Sequence, residues 1–124
     1  MPSRALTVAA AIAMLTIAGP LAAAATIECS QIGVAYDDLF LDGNKRVEAI
    51  SAEFKALPAK GADAQRDAIR RRFCAVGGEM VGLYKFVRAL ANECSTKGDK
   101  MGDLLDVINK QLGLALQGIK EPCS

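Results

Sequence analysis

Apolar residues recur at helical spacing along most of the chain after residue 29. The clearest stripe steps alternately by four and three residues, and it consists of Ile69, Phe73, Val76, Met80, Leu83, Val87, Leu90 and Cys94. This period is typical of an amphipathic helix. Because the stripe keeps its phase through Gly77 and Gly78, it predicts one long helix over about 62–94, straight or bent at the glycine pair.

Three shorter apolar faces predict the rest of the fold. One lies in a helix from about Lys100 to Ile119, and two precede the long helix, at about 29–39 and 44–57. The sequence Asp42-Gly43-Asn44 separates the last two, and it favours a helix stop followed by a new start capped by Asn. No strand-like alternation of any length occurs in the sequence. We therefore expect a small all-α bundle of three to four helices around the long one, stabilised by disulfides.

The first 25 residues have the composition of a secretory signal peptide. Arg4 supplies a positive charge, residues 5–18 are apolar, and small residues dominate 21–25. We expect residues 1–25 to be removed and residues 26–124 to form a single helical domain that is periplasmic or secreted. The short Ala-rich signal favours a Gram-negative bacterium. No later stretch has the roughly 20 apolar residues of a transmembrane helix, so none is expected in the mature chain.

All four cysteines follow this segment, and they are Cys29, Cys74, Cys94 and Cys123. An even number in an exported chain predicts two disulfides. On one helix Cys74 and Cys94 would lie roughly 30 Å apart, too far to pair. The loop at 95–99 makes the last helix antiparallel to the long one, which favours Cys74 with Cys123. Cys29 is then left for Cys94, and the two lie side by side if the chain before Gly43 continues in the same direction as a kinked helix, which is the arrangement we favour. A tight hairpin at Gly43 would instead bring Cys29 near Cys123.

Charge and composition exclude several classes of function. The whole chain has a formal net charge of +1 and contains no histidine. A balanced charge argues against general nucleic-acid binding, and the absence of histidine removes the histidine-based catalytic and zinc arrangements. A calcium loop aligned on Gly43 also fails, because Phe40 and Ala49 occupy positions that need oxygen ligands. We expect no enzymatic activity, no metal and no cofactor.

Two groups of residues are candidates for a partner surface. Arg66, Arg70 and Arg71 could receive a phosphate or an acidic partner, or they form a solvated helix face paired with nearby aspartates. Val107 and Leu114 lie one heptad apart, outside the main apolar arc of the last helix. They indicate either a partner surface or burial against a second neighbouring helix.

A third candidate feature concerns packing rather than binding. Cys74, Gly78 and Gly82 are each four residues apart and form one ridge of small side chains. Such ridges let a neighbouring backbone come close, so the pattern predicts tight helix packing at Gly78 and Gly82 beside a Cys74–Cys123 disulfide. Gly78→Leu is then expected to destabilise the fold.

Together these features predict an exported helical module that binds another envelope or secreted protein and has no catalytic activity. The sequence leaves the oligomeric state open. Two alternatives are a small periplasmic stress chaperone and, less favoured, a hydrolase or lyase that works without histidine.

Overall fold

The computed structural model describes residues 27–124, and the predicted signal peptide at 1–25 lies outside them. A single 3₁₀ turn, Cys29–Gln31, leads into three α-helices, which are α1 (Ile32–Lys55), α2 (Asp63–Thr96) and α3 (Gly102–Lys120). This part of the chain is a small all-α bundle, as predicted, and α2 is its long helix.

Both α1 and α3 run antiparallel to α2 and pack chiefly on it rather than on each other. The connections are short, and each contains a glycine with positive φ, Gly61 at 79° and Gly98 at 97°. Glycine adopts this left-handed conformation without the steric cost that a Cβ atom imposes, so both positions suit a change of chain direction. The long helix is therefore the central element.

The predicted helix stop at Asp42-Gly43-Asn44 is wrong, because α1 continues through it without interruption. Leu39, Gly43 and Ile50 are all buried on the face that packs on α2. A Cβ atom at Gly43 would overlap the side chain of Met80, so α1 approaches α2 closely there. The apolar phase of α1 continues across the glycine, and tertiary packing overrides the local preference for a turn.

The disulfides join Cys29 to Cys94 and Cys74 to Cys123, with Cα–Cα distances of 5.7 and 5.6 Å. These are the two pairs that the antiparallel geometry favoured. They close loops with sequence separations of 65 and 49 residues. In the chain-entropy model each contributes about 4 kcal/mol by restricting the unfolded chain. One lies at the C-terminal end of α2, and the other joins the end of α3 to Cys74, 11 residues after the start of α2.

The core is tighter at one end of the bundle than at the other. The largest fully buried side chains are Ile32, Val87 and Ile108, one from each helix, and all lie toward the Cys29–Cys94 end. The buried residues of α3 are Ile108 and Leu112. Beyond Ile50 in α1 and Leu112 in α3, neither helix has a buried residue.

The predicted packing ridge at Gly78 and Gly82 is also wrong. Both glycines are exposed, and a Cβ atom at either would have no neighbouring atom within 4 Å. The glycine in close contact is Gly77, which is buried and faces Ile119 of α3. Successive helical residues are rotated by about 100°, so Gly78 faces away from the partner that Gly77 meets. Gly78→Leu is no longer expected to destabilise the fold.

None of the helices in residues 27–124 has the length and hydropathy that a membrane crossing requires.

Candidate binding cleft

The open end of the bundle contains a cleft with α2 as its floor and the second halves of α1 and α3 as its walls. On the α1 side, Glu53 accepts two hydrogen bonds from Arg72 of α2, at 2.6 and 2.8 Å. On the α3 side, the Cys74–Cys123 disulfide fixes the end of the chain. The two walls pack on α2 rather than on each other, and two adjoining cavities lie between them.

The first half of the cleft is a cavity of about 230 Å³, here called the arginine cavity. Its apolar lining consists of Val47, Ile50, Phe54, Ile69, Phe73 and Pro122. Two polar residues complete it, Ser51 and Arg70. Phe54 remains 49% exposed at this cavity. A large apolar side chain left this open on the wall of a cavity is available for contact with a ligand.

The second half is a cavity of about 220 Å³, here called the tyrosine cavity, and it adjoins the first at Val47 and Phe73. Small residues from all three helices line it, and they are Gly43, Gly77, Ala115 and Gly118. Its polar groups are Asn44, Tyr84 and Gln111. At Gly43 and Gly77 the neighbouring helix comes close, because a Cβ atom there would meet Met80 or Ile119. A Cβ atom at Gly118 would have no neighbour within 4 Å, so the open space lies on the α3 side.

Tyr84 lies 95% buried between this cavity and the closed core, since its exposed fraction is 5%. Its ring contacts Tyr36, with a centroid distance of 5.9 Å. Burial raises the pKa of Tyr84, and burial together with the neighbouring Tyr84 and Asp37 raises the pKa of Tyr36 to about 12. Both phenols are therefore neutral at physiological pH, and the tyrosine cavity has no charged lining residue.

The basic residues predicted as a partner surface are paired with aspartates. Arg66 contacts Asp63 at 3.3 Å, and Asp67 receives both Arg70 at 2.6 Å and Arg71 at 2.7 Å. The hydrogen bond from Arg70 and the charge of Arg71 lower the pKa of Asp67. The three arginines thus lie on a solvated helix face with local ion pairs. Among them only Arg70 lines the cleft.

The two predicted apolar positions on α3 differ in what surrounds them. Val107 is 45% exposed and Leu114 is 51% exposed, so neither is buried by a second neighbour. Leu114 lines the tyrosine cavity, whereas Val107 lines neither cavity of the cleft. The sequence therefore identified two residues of the cleft, Leu114 and Arg70. It missed Val47 and Phe54, which have the spacing of ordinary core positions on α1.

Two other sites in residues 27–124 are poor candidates. Cys29, Cys94 and Asp99 lie close enough together to suggest a metal site, but both sulfur atoms are in a disulfide and cannot act as thiolate ligands. A wider concavity of about 520 Å³ lies at the C-terminal turn and is lined by Gln117, Lys120, Glu121 and Ser124. All four are exposed, so it offers no buried wall to hold a ligand.

Comparison with known proteins adds no family: no protein-family model, curated protein or solved structure matches the chain significantly.

Proposed function

We propose that the protein is a non-enzymatic binding module of the periplasm or the extracellular space and that the cleft is its binding site. The observation that supports this most directly is the pair of adjoining cavities at the open end of the bundle, with Phe54 half-exposed on one wall and Leu114 half-exposed on the other. Ligand sites in proteins are concave and mostly apolar, with a few placed polar groups. The cleft has this composition.

The proposed compartment is supported by the cysteines. All four form disulfides, and disulfides persist in oxidising environments outside the cytosol. The signal-like segment at 1–25 agrees with export.

A binding role accounts for the carboxylates better than a catalytic role does. A hydrolase or lyase without histidine would need a carboxyl group whose pKa is raised toward neutrality. In the described helices, hydrogen bonds from Arg72 and Arg70 lower the pKa values of Glu53 and Asp67. Both groups therefore act as ion-pair partners.

The test of the binding function compares the wild-type protein with two matched tryptophan variants of α1. Val47→Trp fills the junction of the two cavities, whereas Val34→Trp adds the same bulk at a 50% exposed position that lines neither cavity. Each protein is recovered from its native compartment with disulfides intact and analysed by native mass spectrometry. A small molecule or protein retained by the wild type and by Val34→Trp, but lost from Val47→Trp, supports the proposal. Equal retention by the wild type and both variants, or no retention by any of the three proteins, refutes it.

A stress chaperone is a second candidate, and the attachment of the second half of α1 favours it. After Gly43 this half buries Ile50 alone, and Glu53 ties its end to Arg72. Protonation of Glu53 in acid would remove that ion pair and allow the apolar cleft to widen. The measurement is protection of an aggregating client protein at about pH 3 against pH 7, with near-UV circular dichroism of the chaperone. A fully folded state at the acid pH argues against this function.

A further inference from the structure

We propose that the ligand of the cleft is a medium-chain fatty acid, with its carboxylate at Arg70 and Ser51 and its hydrocarbon chain running past Phe73 into the tyrosine cavity. This inference rests on the proposed binding function. It follows from the shape of the cleft, the distribution of charge along it and the chemistry of its lining.

The shape suits a long, thin molecule. The arginine and tyrosine cavities adjoin at Val47 and Phe73. Each is smaller than the ~300–1,000 Å³ of an ordinary ligand pocket, but together they enter the lower part of that range. Arg70 and Tyr84, at opposite ends, are about 21 Å apart along α2, given a rise of 1.5 Å per residue. An extended chain fills such a space better than a compact ring system.

The distribution of charge along the cleft suits a ligand with one anionic group, placed at the Arg70 end. Among residues 27–124, Arg70 is the only charged residue that lines either cavity. Its carboxylate partner Asp67 is shared with Arg71, so the three side chains together carry a net positive charge. Arg70 donates to Asp67 through Nη2 and to the carbonyl of Pro122 through Nη1. A guanidinium has five N–H groups, so further donors remain for an incoming carboxylate.

Beyond the carboxylate proposed at Arg70, the lining of the cleft suits a hydrocarbon chain. Beside Arg70, the Ser51 hydroxyl is a second group that can donate a hydrogen bond to a carboxylate. Past Phe73 the lining is uncharged and rich in small residues. Each buried CH₂ of a ligand is then expected to lower the dissociation constant about fourfold.

The experiment measures binding to the disulfide-intact protein by isothermal titration calorimetry, below the micelle concentration of each ligand. Hexanoate, octanoate and decanoate give the chain-length series, and decanol and decylamine keep the longest tail with a neutral or cationic head. We expect affinity to rise about fourfold per CH₂ and decanoate to bind more tightly than both head-group analogues. No dependence on chain length, or equal binding of decanoate, decanol and decylamine, overturns the proposal.

Matched arginine variants test the position of the head. Arg70→Gln and Arg71→Gln each remove one of the two arginines on Asp67, but only Arg70 lines the cleft. Because Arg70→Gln loses a charge-assisted hydrogen bond to the carboxylate, we expect its dissociation constant for decanoate to rise at least about tenfold. Its dissociation constant for decanol should not change. Arg71→Gln should stay within about threefold of wild type, since exposed charges are screened by solvent. Equal losses in the two variants refute the assignment of the head to Arg70.

A third variant covers the case in which Arg70→Gln disturbs the C-terminal turn that Arg70 contacts. Val47→Trp leaves Arg70 in place and blocks the junction, so it should abolish the dependence of decanoate affinity on chain length. If none of the fatty acids binds while the wild-type protein retains a cleft-dependent protein partner, the fatty-acid inference fails and the binding function stands. If neither is found, both fail.

Discussion

Gly77→Ala adds one methyl group where α3 approaches α2. The new Cβ atom would lie closer than 3.0 Å to Cγ2 of Ile119. The side chain of Ile119 is β-branched and has restricted rotamers, and its helix end is tied down by the Cys74–Cys123 disulfide. Relief by a small shift is therefore difficult, and overpacking of this kind costs about 1–3 kcal/mol.

The neighbouring Gly78→Ala is the matched control. Replacing a mid-helix glycine by alanine stabilises a helix by about 1 kcal/mol, and this gain applies equally at both positions. Gly78 is exposed, and a Cβ atom there has no neighbour within 4 Å. We expect Gly78→Ala to be about 1 kcal/mol more stable than wild type. The difference between the two variants isolates the contact with Ile119 and should be about 1–3 kcal/mol.

Urea unfolding followed by far-UV circular dichroism, with disulfides intact, gives the free energies. In a domain of this size each kcal/mol shifts Tm by about 4–8 °C, so thermal scans provide an independent reading. Ile119→Ala removes Cγ2 and completes a double-mutant cycle with Gly77→Ala. The coupling energy should account for most of the difference between the glycine variants. Equal stabilities of Gly77→Ala and Gly78→Ala, or a coupling energy of zero, would refute the assigned contact.

Three further predictions concern covalent and titrating groups. Replacing Cys29 and Cys94 together by serine should lower the free energy of unfolding by about 4 kcal/mol, measured by urea midpoint, because that disulfide closes a loop with a separation of 65 residues. The hydrogen bond that lowers the pKa of Glu53 contributes fully above its unfolded pKa of about 4.3 and is lost as pH falls through the folded value. Glu53→Gln should therefore flatten the acid side of the urea midpoint plotted against pH, and an unchanged curve contradicts the pairing. Burial raises the pKa values of Tyr36 and Tyr84. Their contribution to stability is fully present below the unfolded pKa of about 10 and is lost as the pH rises through the folded pKa, which is about 12 for Tyr36. The phenolate absorbance of the folded protein should accordingly appear at higher pH than that of the unfolded chain, and coincident titrations would contradict burial of the rings.

The long helix and the disulfide pairs were predictable because both depend on periodicity. A stripe of constant phase from Ile69 to Cys94 requires one helix, and its length then restricts which cysteines can meet. The same reasoning applied to α1 would have predicted a continuous helix, since Leu39, Gly43 and Ile50 share one face. The local sequence Asp42-Gly43-Asn44 favours a turn instead. In the folded protein, Gly43 packs closely against Met80 of α2, and α1 stays helical across this turn sequence.

The cleft was less predictable, because a helical pattern shows which face is apolar but not whether a neighbour covers it. Val47, Phe54 and Phe73 have the spacing of core residues, and they line a cavity because α1 and α3 flank α2 on separate sides. One signal was present in the sequence. The second half of α3 carries Ala115 and Gly118, which are too small to fill the space that longer side chains fill at the other end.

The placement of the two disulfides limits how far the protein lengthens when it is pulled from its ends. The shortest covalent path from Cys29 to Cys123 crosses to Cys94, returns along α2 to Cys74 and crosses again. Fully extended, the stretch of α2 in that path spans about 70 Å, whereas the reduced chain between Cys29 and Cys123 spans about 330 Å. With the two disulfide crossings of 5.7 and 5.6 Å included, a force that unfolds every helix would extend this path to only about a quarter of the reduced contour length. The oxidised protein would behave under tension as a short tether, with α2 as its load-carrying segment.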